Sequence, residues 1–149
     1  AVAGATDTHV VHERAEPTWM EAVAESGRQT FEMAGCEPAA IDIAELHDMV
    51  TLLEPLQLEA LGFADRGAGW QWAPEGRTTR SGDLPVNTSG GLKARGHPLG
   101  ATGVAQAVEI YRQILGEAGD RQVSAQRGLT CNVGGFGNCV TTAILEAQS

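Results

Sequence analysis

Asn87-Thr-Ser-Gly-Gly-Leu-Lys-Ala-Arg-Gly-His97-Pro-Leu-Gly-Ala-Thr-Gly103 is the stretch on which the reading of this chain turns. Its glycines allow a backbone or a ligand to approach where a Cβ would clash, and they deliver the imidazole of His97 to the start of a helix. Pro98 suits that helix's first turn because its fixed φ matches and its missing N–H is not needed there. Val104, Ala107, Val108, Tyr111 and Leu115 then recur at i, i+3, i+4, i+7 and i+11, which predicts a helix over about 99–115 with a core-facing apolar stripe. A histidine so placed has N–H donors and a positive dipole end beside it, which suits charge developing on a bound oxygen. The same placement also suits a histidine that merely caps the helix.

Working outward, Ile41-Asp-Ile-Ala-Glu-Leu46 is short, branched and apolar, and reads as a strand that carries His47 at its C-terminal end. Thr18-Trp-Met-Glu21 has capping-box spacing and opens a helix over 18–34 that Gly35 stops. Residues 1–17 read as a linker or an entering strand, and 18–149 as the domain. Met49 to Leu53 and Pro55 to Leu61 read as two short helices, since proline is welcome only in a first turn. Residues 64–84 form a long loop with Trp70 and Trp72, which suit either a ligand wall or a cover for the core. Arg127 to Cys131 and Asn138 to Leu145 read as two strand arms joined through Gly134 to Gly137. The order predicts a layered α/β domain with a mixed sheet.

Composition narrows the function. A chain of 149 residues suits one domain, and a net charge of −9 with a single lysine, Lys93, makes a nucleic-acid backbone an unsuitable partner. Three cysteines without paired spacing predict reduced thiols in a cytoplasmic setting, and neither a signal peptide nor a membrane span is expected. Cys36 and Cys139 read as structural, and Cys131 also fits a small buried thiol at a strand end. His9-x-x-His12 lacks further ligands at metal spacing, so no metal is expected.

Gly96 to Gly103 resembles the GHPxGATG signature of the thiolase superfamily, with its N-x-S-G-G approach at Asn87 to Gly91. Glu45-Leu-His-Asp48 and Cys131-Asn-Val-Gly-Gly-Phe-Gly137 are similar to two further thiolase blocks in the same order. The likeness runs from about Trp19 to Leu145, and His-Asp in place of Asn-Glu is similar to the sterol carrier protein type and the archaeal acetyl-CoA acetyltransferases. It implies the second half of a thiolase, with a mixed five-stranded sheet covered by helices, and it leaves the nucleophilic cysteine to an N-terminal half. The resemblance gives His97 and His47 to the thioester oxyanion, Cys131 to acid/base work, and Ser89, Gly90 and Gly91 to contact with a coenzyme A thioester substrate. Cys131 departs from the family's Cys-x-Gly, and Met49 stands where the sterol carrier subgroup has a cysteine.

The implied activity is acyl transfer on acyl-CoA or 3-ketoacyl-CoA, without a covalently bound cofactor and absent in this chain alone. Implied partners are the N-terminal half and an oligomer. Relatives of the His-Asp subgroup suggest two alternatives: a retro-aldolase on steroid-like acyl-CoA assembled with a zinc-ribbon OB-fold protein, or a non-catalytic acyl-CoA or lipid-transfer module.

Overall fold

Strand β2 (Ile43–Leu46) is buried along its whole length, as a run without polar alternation should be when both sheet faces are covered. In the computed structural model, which describes residues 1–147, it pairs in parallel with β3 (Arg127–Gly134), Leu46 lying opposite Cys131. Antiparallel β4 (Cys139–Glu146) follows through a tight turn with Gly135 and Gly137 at positive φ, and antiparallel β1 (Val2–Thr6) closes the order β1-β4-β3-β2. The loop after β3 is shorter than expected, because β3 runs on to Gly134.

Among the described residues the sheet has four strands rather than five. On the outer side of β2 the chain returns, but the pairing is a single parallel bridge between Ala44 and Val86. Ala44 donates to the Pro85 carbonyl and accepts from the Asn87 N–H. Pro85 has no N–H to extend the ladder, and Asn87 turns to φ 52, so the extended path ends after one step.

Two fourteen-residue helices cover opposite faces of this sheet. Helix α1 (Glu21–Ala34) packs Ala22, Val23 and Phe31 over Leu129, Cys131, Val133, Val140 and Ile144. Gly35, at φ 63, ends it with paired back-bonds to Glu32 and Phe31 from Gly35 and Cys36. The helix starts three residues later than its capping-box spacing predicts. Glu21 accepts the Trp19 indole N–H at 2.8 Å instead of reaching back to Thr18, and Met20 takes the cap position without a side-chain bond.

Helix α2 (Leu53–Ala60) is one helix with Pro55 in its first turn, and residues 49–52 stay a turn. Within 64–84 a short α3 (Gly69–Trp72) buries Trp72 beneath the Arg77 guanidinium, 3.9 Å from the ring centre. A five-residue α4 (Gly91–Arg95) precedes α5 (Thr102–Leu115) on the second face. Here the expected orientation is reversed. Val104, Val108, Tyr111 and Leu115 point outward, Val104 being 65% and Tyr111 55% exposed, while Thr102, Gln106, Glu109, Ile110 and Gln113 are buried. The inner side meets the sheet through Ile110, beside Ile43 over Gly128, and through Gln106, which donates to the Glu45 and Cys131 carbonyls. No helix among the described residues is long and apolar enough to cross a membrane.

Candidate functional site

His47 leaves the C-terminal end of β2, and His97 leaves the glycine-rich turn before α5. The two rings meet edge to face, centroids 4.9 Å apart and planes at 84°. His97 is half-buried, and its Nδ1 shares a hydrogen bond with Thr102 Oγ1 at 2.8 Å. That hydroxyl also donates to the Pro98 carbonyl at 3.2 Å, which ties the imidazole to the first turn of α5. His47 is 1% exposed, and its Nε2 is buried without a hydrogen-bond partner. Burial, together with the neighbouring His97 and Arg95, lowers its pKa from 6.5 to about 4 despite the opposing pull of Asp48, so the ring is neutral at neutral pH.

A buried polar lattice fixes the two segments against each other. The Glu45 carboxylate, on β2, accepts from the Ser89 N–H at 3.2 Å, the Ser89 hydroxyl at 2.9 Å and Arg95 Nη1 at 3.2 Å. Burial raises its pKa, against the pull of Ser89 and Arg95. Asp48 accepts the Leu92 N–H at 2.9 Å and so caps α4; a Cβ on Gly91 would run into its carboxylate. Asn87, in its left-handed conformation, accepts the Leu46 N–H at 2.8 Å and donates to Glu54 at 3.1 Å. Ser89 and Gly91 are therefore engaged by the protein itself, while Gly90 lies exposed at the turn.

Cys131 is not brought to the histidines. Its side chain lies on the α1 face of β3, with Sγ 3.9 Å from Thr142 Oγ1, which in turn bonds Ser26 of α1 at 2.8 Å. Complete burial pushes the thiol up to about 12. Strand alternation turns the next residue to the other face. Asn132 Nδ2 lies 3.4 Å from His47 Nδ1 and 3.1 Å from Gln106 Oε1 of α5. The residue that sequence reasoning missed is thus one position on, and the signal for it is the glycine two places later: Asn132-Val-Gly134, rather than Cys131-Asn-Val133, keeps the x-Gly spacing.

Of the two tryptophans considered as a ligand wall, Trp72 covers the core and Trp70 is 63% exposed beside a groove of ≈ 510 Å³ that Asp48, Leu52, Pro55 and Lys93 also line. Cys36 is half-buried and Cys139 exposed at the start of β4, not inside the core. No group of three or more potential metal ligands occurs among the described residues, where His9 and His12 are exposed.

Residues 3–147 match a family model described as thiolase C-terminal domain-like. The chain is 46% identical over 147 residues to an acetyl-CoA acetyltransferase of Methanothermobacter thermautotrophicus, covering 98% of this chain and 38% of that protein. It is 44% identical over 119 residues to sterol carrier protein 2 of Bos taurus, covering 79% of this chain and 22% of that protein. A solved structure titled Ltp2-ChsH2(DUF35) aldolase superposes with a TM-score of 0.82 at 23% identity, over 98% of this chain and 38% of that one, which is a likeness of fold. The chain spans well under half the length of these relatives.

Proposed function

Because the chain belongs to the thiolase C-terminal domain-like family, we propose that it is the C-terminal half of a thiolase-like acyltransferase, supplying the oxyanion-binding histidines to a nucleophile carried by an N-terminal half. The observation that carries this reading is the pair of rings at 4.9 Å, one buried and neutral, the other half-exposed in the turn before α5. A neutral imidazole donates to a carbonyl oxygen without the cost of holding a buried charge, and its bond strengthens as negative charge develops there. In 3-ketoacyl-CoA thiolysis the partner's thiolate attacks the 3-keto carbon, the bond between C2 and C3 breaks, and the electron pair passes to the thioester as an enolate. His47 donates to the oxygen that carries that charge, and His97 flanks it. Gly90, exposed and without a side chain, leaves room for the thioester arm next to Ser89 and Gly91.

The partner half fits the outward apolar stripe of α5, which no part of this chain covers among the described residues. The test is acetoacetyl-CoA thiolysis by the chain alone and mixed with its N-terminal half. Turnover is expected only from the mixture, and turnover by the isolated chain overturns the reading.

The site's lack of a thiol supports a second reading. Asn132 does not exchange protons near neutral pH, Met49 cannot, and the Cys131 thiol lies on the far face of β3. Retro-aldol cleavage of a branched acyl-CoA needs enolate stabilisation but no thiol of the enzyme. Carbon–carbon cleavage that neither requires nor consumes free coenzyme A would select it over thiolysis.

A further inference from the structure

The side chains of Gln106, Asn132 and His47 form a relay with one self-consistent proton arrangement. The terminal amide of Gln106, fully buried on α5, lies 3.2 Å from the Glu45 carbonyl oxygen and 3.1 Å from the Cys131 carbonyl oxygen. Both partners only accept, so the group facing them must be the –NH₂, and these two bonds use both of its hydrogens. Oε1 of Gln106 therefore faces the other way, as an acceptor. The Asn132 side chain reaches it at 3.1 Å, and an oxygen there would oppose lone pair to lone pair, so Asn132 also presents its –NH₂. One hydrogen of that group goes to Gln106. The other faces His47 Nδ1 at 3.4 Å, a long contact, but one that sets a donor against the ring nitrogen. A ring nitrogen facing a donor must be the unprotonated one, which leaves the proton of the neutral ring on Nε2.

We propose that Gln106 and Asn132 are positioning residues that lock His47 as the Nε2–H tautomer, so that this histidine is a hydrogen-bond donor to a ligand oxygen and not a proton-abstracting base. Two main-chain carbonyls, one on β2 and one on β3, set the direction of the whole relay. The unpartnered Nε2 is the atom left over for the ligand. Burial holds the ring neutral, so the choice of tautomer is what decides its chemistry at neutral pH. The tautomer rests on this geometry alone, whereas the nature of the oxygen it serves, a thioester carbonyl or enolate, rests on the function proposed above.

The experiment is nitrogen-15 NMR of the histidine rings in the full protein, this chain together with its N-terminal half, at neutral pH. The His47 signals are identified by their loss in His47→Gln. The parent should show Nδ1 as the bare, pyridine-like nitrogen and Nε2 as the protonated one. Asn132→Asp places an acceptor against Nδ1, and the proton should move to that nitrogen. Gln106→Leu releases Asn132, and the two tautomers should exchange. A parent with protonated Nδ1, or an N132D protein whose Nδ1 stays bare, overturns the relay; should neither variant fold, the parent spectrum decides by itself. Loss of thiolysis in a protein whose tautomer is intact counts against the thioester reading and not against the relay.

Discussion

Helices α1 and α5 have the same length and cover the same sheet, yet they turn different kinds of surface outward. Helix α1 turns Ala22, Val23 and Phe31 inward and presents Glu21, Arg28 and Glu32 to solvent, where Arg28 bridges Glu25 and Glu32. Helix α5 turns Gln106, Glu109 and Gln113 inward and leaves Val104, Val108, Tyr111 and Leu115 outside. The first arrangement belongs to an outer layer facing water. In the second, Gln106 bonds the sheet through the Glu45 and Cys131 carbonyls, Glu109 and Gln113 bond Arg121, and the apolar side is the exposed one, which suits the docking proposed above. The candidate site residues follow the same division: both histidines and Asn132 lie with α5, and Cys131 lies with α1.

The strongest test of that division compares the two sides in the assembled protein. His97→Ala should lower kcat/KM for acetoacetyl-CoA thiolysis by about 10²–10³-fold, the usual loss for an oxyanion donor. An unchanged rate would remove the site from the α5 face. Next in size is the outward stripe. Val108→Asp combined with Tyr111→Asp should weaken association with the N-terminal half by ~10²-fold or more in sedimentation, while circular dichroism of this chain stays as it was, since both residues are already exposed. Cys131→Ala should cost about 1–2 kcal/mol of stability as a packing loss and change turnover by less than about threefold. A large fall in kcat with stability preserved would restore the thiol to the chemistry.

The smallest effect is on pH dependence. A histidine in the unfolded chain charges near 6.5, whereas folding lowers the His47 value to about 4, so between these values the unfolded state binds more protons. Stability should therefore fall as the pH drops from 6.5 to 4. Glu45 and Glu54, whose values burial raises, act in the opposite sense, so the readout is a difference. His47→Gln should flatten the slope measured by denaturant titration across that window, and parallel curves for parent and variant would show that His47 is not held neutral.

Much of the site was legible because its determinants are local. The glycine-rich run places His97 in the turn before α5, although the helix opens at Thr102 and leaves Pro98 outside it, β2 ends next to His47, and Gly35 stops α1 as its left-handed conformation allows. Other elements were not. The capping box of α1 did not form because the Trp19 indole captured Glu21. No fifth strand follows β2 among the described residues, where one bridge to Val86 is flanked by Pro85, which has no N–H, and by the left-handed Asn87. Asn132 was passed over for Cys131 because a thiol draws attention to itself, although the strand's period of two makes a one-residue choice a choice between opposite faces.

The sequence by itself determined that the chain is a layered α/β domain of the thiolase type in which two histidines end two separate segments, because glycine, proline and apolar spacing act over a few residues. Only the tertiary structure decided which neighbour on β3 faces His47, that Gln106 lies beside that neighbour, and which stripe of α5 turns inward. Periodicity defines the two sides of a strand or helix, but the layer each side meets depends on groups far away in the chain.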